Sequence, residues 1–476
     1  MPIMAALFLC LAPLSQAAAS SSVLVDSESK ISSVSGGLGD VLGAGGEFAT
    51  SVVSVGDIDG DAVADLAVGA PLDGDNNRGA VWLLFMNADA TVRASQKISS
   101  LQGGFTGLLD NQDQFGNALA ALGDIDGDGV EDLAVGAIKD DDGGLNNGAV
   151  WILLLNSDGT VKSHQKISDT TGGLVGALGD NDYFGAALSS LGDLNDDGVA
   201  DGLLVGAPKD DDGGTNRGAV WVLFMNSDGT VALEQKISAT QGGFSGTLAN
   251  KDEFGSSVTW LGDITGNSLP DIAVGAALDD DGGVDRGAVW IISLNVFGMA
   301  TSQQKISATQ GGFGGTLEDS DFFGLAVASP GDLDGDGSPE LAVGAVGDDD
   351  GGLDRGSVWL LHLSSSGSVL AQDKFSDIWG QFGGVLDNND ALGASLAAVG
   401  DIDGDSVADL VAGAPKDDDG GANKGALWAL YLEPCGNGII GAREVCDDGN
   451  NGADDYCSPT CLLVTGMCGD AIVQSA

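Results

Sequence analysis

Tryptophan recurs along this chain at a step of 69 or 70 residues, at Trp82, Trp151, Trp221, Trp290, Trp359 and Trp428. Such a period marks a chain built by stacking one supersecondary unit, because each unit can bury its apolar faces only against its neighbours. Acidic blocks keep nearly the same step, beginning at Asp57, Asp124, Asp193, Asp263, Asp332 and Asp401. A Lys-Ile-Ser run starts at Lys30, Lys97, Lys166, Lys236 and Lys305, and returns as Lys374-Phe375-Ser376. Six copies of about 69 residues therefore occupy most of the chain.

Each copy contains four strand-like runs. In the second copy these are Phe115 to Leu122, Asp132 to Ala137, Ala149 to Leu155 and Thr160 to Ile167. The last two are joined by Asn156-Ser157-Asp158-Gly159, and Asp-Gly between alternating runs is a hairpin signal. The second run is rich in Ala and Gly, which have low strand propensity. That composition suits a place where sheets converge and backbones approach closely. Four antiparallel strands per copy, repeated radially, describe propeller blades. The predicted fold class is all-β, a β-propeller of six four-stranded blades.

The chain ends supply a means of closure. The sixth copy stops after its third strand, near Tyr431-Leu432-Glu433, whereas Ser22 to Lys30 aligns with fourth strands such as Thr230 to Lys236. The N-terminal strand is expected to complete the last blade and fasten the ring, so that the propeller spans residues 22–433.

Between the first two strands of each copy lies a tight acidic loop. The first copy carries Asp57, Asp59, Asp61 and Asp65, the second Asp124, Asp126, Asp128 and Asp132. Carboxylates at loop positions 1, 3, 5 and 9 gather hard oxygens around one point, and residue 7 (Val63, Val130) can add a backbone carbonyl. Oxygen-only ligation by a flexible loop suits Ca2+. An EF-hand is excluded, because position 12 is Val68 or Val135 rather than Glu and a strand follows instead of a helix. The third loop has Asp193, Asn195, Asp197 and Asp201, with Gly202 as an extra residue after it. The fifth has Asp332, Asp334, Asp336 and Glu340, and the sixth has Asp401, Asp403, Asp405 and Asp409. The fourth, with Asp263, Thr265, Asn267 and Asp271, halves the negative charge and is expected to be weak or empty. About five Ca2+ ions are expected.

The combination of Phe-Gly, Gly-Asp-x-Asp-Gly-Asp-Gly and Gly-Ala-Pro can be read in Phe184-Gly185, Gly192-Asp193 and Gly206-Ala207-Pro208. It resembles the FG-GAP repeats of integrin α-subunit propellers and of bacterial proteins with the same module. The resemblance covers about Ser22 to Pro434 and implies a propeller with Ca2+ in the loops of its lower face. There are departures: integrin propellers have seven blades, and the last copy here has Leu392-Gly393 in place of Phe-Gly. Nothing resembles the integrin leg domains or membrane anchor, so integrin function does not carry over.

A second acidic run precedes each third strand, as in Asp140 to Asp142, Asp210 to Asp212, Asp279 to Asp281, Asp348 to Asp350 and Asp417 to Asp419. Blade topology puts these runs on the face opposite the Ca2+ loops. They read as solvated turns, with cation binding or an electrostatic contact surface as alternatives. The Trp and Lys-Ile-Ser repeats are assigned to packing. The formal net charge of −53 excludes a nucleic-acid footprint, which would need a basic surface. His164 and His362 are the only histidines and lie in different copies, with no Cys or repeated Ser to suggest a triad. The chain is therefore not expected to be an enzyme.

Residues 1–19 read as an export signal, with an apolar run from Ile3 to Leu14 before small residues Ala17 to Ser20. Residues 434–476 hold Cys435, Cys446, Cys457, Cys461 and Cys468, the spacing of a disulfide-rich module. They resemble the cysteine-rich repeats of myxobacterial surface proteins, and Cys468-Gly469-Asp470 reads as a second copy cut short. The expectation is a secreted or cell-surface Ca2+-binding scaffold for adhesion or recognition, with no membrane insertion of the mature chain. Its partner would be an extracellular protein or glycan. An extracellular hydrolase or lyase with its site at the channel mouth, or a structural spacer, are the alternatives.

Overall fold

The computed structural model describes residues 22–39, 41–194, 202–435 and 443. The expected leader, the third acidic loop from Asn195 to Asp201 and the cysteine-rich segment beyond Cys435 (Arg443 apart) lie outside the described residues. Strand β1 (Val23–Ile31) precedes the repeats. The first blade is β2 (Ser51–Ser54), β3 (Leu66–Ala70), β4 (Ala80–Met86) and β5 (Val92–Ile98). The second is β6 (Phe115–Gly123), β7 (Asp132–Ala137), β8 (Ala149–Leu155) and β9 (Val161–Ile167). The third is β10 (Ala187–Gly192), β11 (Gly202–Ala207), β12 (Ala219–Met225) and β13 (Val231–Ser238). The fourth is β14 (Phe254–Gly262), β15 (Asp271–Ala276), β16 (Ala288–Leu294) and β17 (Ala300–Ser307). The fifth is β18 (Val327–Gly331), β19 (Glu340–Ala345), β20 (Ser357–Leu363) and β21 (Val369–Phe375). The last sheet has the order β1-β24-β23-β22, from β22 (Ser395–Gly400), β23 (Asp409–Ala414) and β24 (Ala426–Pro434). These are six antiparallel blades of four strands. The predicted strands of the second copy agree with the observed ones to within a residue.

In the last sheet β1 runs antiparallel to β24, from Val23 opposite Pro434 to Ile31 opposite Leu427. The first strands of all six blades line a central channel of about 260 Å³. Second and third strands are almost wholly buried, which explains why they read as continuous apolar runs rather than alternating ones. Fourth strands expose their middle residues, as in β9, and so form the outer edge.

Adjacent blades are joined by the Phe-Gly step. Phe115 N–H donates to Arg78 O at 3.0 Å, Phe184 to Asn147 O at 2.9 Å and Phe254 to Arg217 O at 3.0 Å, each reaching back one blade. Phe48 of the first blade makes the same bond to Lys424 O of the sixth, at 3.3 Å, so the first and last blades meet by the same contact. The Phe ring fills the space between sheets and is fully buried at Phe115, Phe184, Phe254 and Phe323, a placement that contributes about 2–3 kcal/mol each. The residue after each Phe is left-handed, which favours glycine, although Ala49 (φ 73) fills this place after Phe48. Gly116 sits at φ +93 with the carbonyl of Ala80 where a Cβ would be.

The Gly of each second strand has a related task. A Cβ on Gly69, Gly136, Gly206, Gly275 or Gly344 would overlap the carbonyl oxygen of Gly116, Gly185, Gly255, Gly324 or Gly393 in the next blade. The Ala-Gly composition of this strand is thus the imprint of backbone-on-backbone packing. Gly136→Ala is expected to cost about 3 kcal/mol in urea unfolding, the upper part of the overpacking range. An unchanged midpoint would contradict this close approach.

Candidate metal centres in the blade loops

The five acidic loops that the structure describes are wound around their first carboxylates. Asp124 Oδ1 accepts from Gly127 N–H at 2.7 Å and Asp128 N–H at 2.9 Å, while Oδ2 accepts from Gly129 N–H at 2.7 Å. Asp57 and Asp401 repeat this arrangement with residues 60–62 and 404–406. These bonds hold the Asp57 carboxyl below its usual range, the Ala62 N–H bond contributing most. The fifth position closes an Asx-type turn, as where Asp128 Oδ1 accepts from Val130 N–H at 3.0 Å.

The ninth position ties the loop to the blade. Asp132 Oδ2 accepts from Ile125 N–H at 3.1 Å and Oδ1 from Leu155 N–H, at the end of β8, at 3.0 Å. Asp65 does the same with Ile58 and Met86, and Asp409 with Ile402 and Leu432. These carboxylates are buried. Burial pushes Asp65 and Asp132 up to about 6 and Asp409 up to about 7; the backbone bonds oppose it and the third- and fifth-position carboxylates add to it.

Carboxylate oxygens converge in four of the loops. Asp57, Asp59 and Asp61 bring one oxygen each within 4.8 Å of one another, and so do Asp124, Asp126 and Asp132. Asp332, Asp334 and Asp336, and Asp401, Asp403 and Asp409, form the other two groups. Asp126 Oδ1 is buried and accepts no hydrogen bond. An all-oxygen donor set with such an orphaned atom fits a hard divalent cation.

The loops differ in what faces them. Lys162, on β9, places Nζ 2.7 Å from Asp126 Oδ2 and 2.6 Å from Asp128 Oδ2. Arg93, on β5, reaches Asp59 and Asp61 in the same way. The fourth loop keeps its Asp263 cap, with Asn267 N–H at 2.9 Å and Ser268 N–H at 2.6 Å. It gathers no group of three acidic side chains among the described residues. Two of its buried oxygens, Thr265 Oγ1 and Asp271 Oδ1, still lack hydrogen bonds. In the third loop only Asp193 is described; Asn195, Asp197 and Asp201 lie outside the described residues.

The fifth loop departs most. Glu340 replaces Asp at the ninth position and still accepts from Leu333 N–H, at 2.6 Å. Its other oxygen lies 3.3 Å from Nδ1 of His362, on β20. Burial opposes a charge on His362, but the hydrogen bond to Asp373 and the charges of Asp373 and Glu340 outweigh it and raise the imidazole to about 10. Sequence reading weighed His362 only for catalysis and did not place it beside the fifth loop, although it stands three residues after a repeated Trp.

The second acidic runs lie at the other end of the second strands. Their first and third carboxylates flank the Lys of the Lys-Ile-Ser run: Lys166 Nζ is 2.5 Å from Asp140 and 2.6 Å from Asp142. The same lysine lies over Trp151, 5.4 Å from the ring centroid. Lys236, Lys305, Lys374 and Lys30 repeat the arrangement. The middle carboxylate caps its own loop, as where Asp141 accepts from Asn146 N–H at 2.7 Å. So the packing role of the Trp and Lys repeats includes charge neutralisation. A further buried series, missed in the sequence, precedes the Phe-Gly steps. Burial, reinforced by the neighbouring run, pushes Asp113, Asp321 and Asp390 up to about 6 and Asp182 and Asp252 up to about 7.

Four segments match the FG-GAP repeat family model: residues 48–84, 115–153, 184–223 and 392–430. The chain carries FG-GAP repeats. The matched segments fall in the first, second, third and sixth blades, whereas the fourth and fifth blades hold the two most altered loops. The chain is 32% identical over 253 residues to "Integrin alpha-5" of Xenopus laevis, covering 52% of this chain and 21% of that protein. It is 32% identical over 248 residues to "Integrin alpha-PS2" of Drosophila melanogaster, covering 50% of this chain and 16% of that protein. To "Integrin alpha-3" of Cricetulus griseus it is 35% identical over 202 residues, covering 42% and 17%. The matched region thus spans at most about a fifth of the length of these relatives. The resemblance to integrin α propellers holds for the FG-GAP blades, with six blades here.

The raised carboxyls of both faces give a signed expectation. A group whose folded pKa lies above its unfolded value near 3.9 loses its proton first in the unfolded chain. Without divalent cations these groups therefore cost stability as pH rises from about 4 to about 7. In chelator the thermal midpoint is expected to fall as pH rises from about 4 to about 7, and Ca2+ should reduce that fall. A midpoint that climbs through this window in chelator would refute the assignment.

Proposed function

We propose that this chain is an extracellular recognition or adhesion scaffold whose propeller is stiffened by Ca2+ in the loops between first and second strands. The convergence of three carboxylate oxygens in each of four equivalent loops, on an FG-GAP framework resembling integrin α, carries the reading. Blades one, two, three, five and six supply about five sites through the loop residues named above, and the fourth loop is the weakest. Bound Ca2+ would balance charge that the fold otherwise holds at a cost. Within this reading, residues 1–19 direct export, residues 434–476 form a disulfide-rich module, and the partner is an extracellular protein or glycan. Cys435, at the border of that module, is buried and disulfide-bonded. Among the described residues no helix is long and apolar enough to cross a membrane. The scaffold is read as non-catalytic, since the repeated residues are engaged in packing, capping and charge pairing.

Calorimetric titration of purified protein should find about five Ca2+ ions, with a thermal midpoint lower in chelator than in Ca2+, because ligands that bind only the folded state stabilise it. Absence of bound Ca2+ together with equal midpoints would remove the proposal's basis.

We also propose that β1 acts as the clasp of the ring. Its pairing with β24 joins residues some 400 positions apart, and Asp373 of the fifth blade holds its start through Ser22 Oγ at 2.7 Å and Val23 N–H at 2.9 Å. Deleting residues 22–31 should expose the β24 edge and sharply raise protease sensitivity of the sixth blade. An equally resistant variant would overturn the clasp.

A further inference from the structure

We propose that the fifth blade holds a first-row transition ion of the zinc type, bound by His362 Nδ1, Glu340 Oε1 and Asp334 Oδ2. The inference goes beyond the Ca2+ reading: in the fifth blade alone this ion takes Asp334 and Glu340 in place of Ca2+, and the other loops are unaffected. Two departures from the repeat occur in this blade, and their side chains meet. Glu340 stands where the other loops carry Asp, and His362 stands where the other third strands carry Phe85, Leu154, Phe224, Ser293 and Tyr431.

The geometry is that of a coordination edge rather than a hydrogen bond. Nδ1 lies 3.3 Å from Glu340 Oε1 and 3.4 Å from Asp334 Oδ2, yet it forms no hydrogen bond. Ligand atoms about 2.05 Å from a tetrahedral ion sit about 3.3 Å apart, so both separations match edges of one tetrahedron. The three donor atoms fall within 4.8 Å of one another. Side-chain exposure is 1% for His362, 1% for Glu340 and 2% for Asp334.

The ring is also oriented for ligation. A carboxylate can only accept, so His362 Nε2–H donates to Asp373 Oδ2 at 3.0 Å. That bond directs the Nδ1 lone pair towards Glu340 and Asp334, the carboxylate–histidine–metal relay found behind metal-bound imidazoles. Asp373 is a positioning residue here and is itself held by Ser22 and Val23 of the N-terminal strand. An imidazole nitrogen with two carboxylates suits zinc-type ions, whereas Ca2+ takes oxygens. A divalent ion also balances more of the local negative charge than an imidazolium could.

Co2+ serves as the spectroscopic probe on the full chain. Protein saturated with Ca2+ is dialysed against micromolar Co2+, and both metals are counted. The expected result is about one Co2+ per chain with the visible bands of a tetrahedral ion and no thiolate charge-transfer band, displaced by Zn2+. His362→Gln should lose this ion while keeping the Ca2+ of the other blades. Asp373→Asn should weaken Co2+ binding about 10–100-fold. Glu340→Asp, which restores the residue of the other blades and is therefore mild for folding, should also release Co2+. Wild-type protein that retains no Co2+ in the presence of Ca2+ overturns the assignment, as an imidazolium held among carboxylates would require. Retention in both His362→Gln and Glu340→Asp overturns it equally. Because Ca2+ is counted in the same samples, failure of the Ca2+ sites is scored separately.

Discussion

The carbonyl of each Phe-Gly step lies against the second-strand glycine of the preceding blade, and this backbone-on-backbone contact governs the rest of the molecule. Sheets packed face to face normally stand about 10 Å apart, separated by side chains. Near the axis of a six-bladed ring there is no room for that. Glycine at the contact removes the obstacle, and the buried Phe fills the wedge that widens outward. Trp at the third strand and Lys at the fourth then complete the outer part of the same wedge. Each residue type that recurs in the sequence corresponds to one radial depth in the blade.

Electrostatics follows from that geometry. A propeller must turn its chain at both ends of every strand, and here acidic residues make most of the turns. Carboxylates are effective at this because each can accept several backbone N–H bonds within a few residues. On one face the resulting charge is met by Lys placed over Trp, so neutralisation comes from the chain itself. On the other face, among the described residues, Arg93 and Lys162 serve the first two blades and His362 stands beside the fifth loop. In the proposed function the loops of this face take cations from solution, Ca2+ in most blades and the zinc-type ion beside His362 in the fifth. The two faces thus solve one problem by different means.

Much of the candidate site was legible because it repeats. Carboxylates at positions 1, 3, 5 and 9 stand out when the same spacing returns around a 69-residue period, and their convergence in four loops follows the spacing. The division of labour among them was not legible. That Asp124 winds the loop while Asp132 latches it to Leu155 depends on where the third strand ends, which is a tertiary matter. The pairing of Lys166 with Asp140 and Asp142 was hidden for the same reason. In sequence it joins a fourth strand to a loop about two dozen residues earlier, and only the blade's hairpin brings the two together. Asp113 and its equivalents escaped notice because a single Asp before Phe-Gly looks like any polar turn residue until its burial is known.

The sequence by itself determined the number of units, the strands within each, the acidic loops and the need for close packing at the second strand. These properties are local or periodic, and a period is visible without coordinates. Tertiary structure alone decided which carboxylates are buried, which lysine answers which acidic run, and that His362 meets Glu340 and Asp334 while Asp373 turns its ring. Those outcomes rest on distances between segments far apart in the chain. Electrostatic and coordination energies change over about an ångström, finer than any residue spacing can specify.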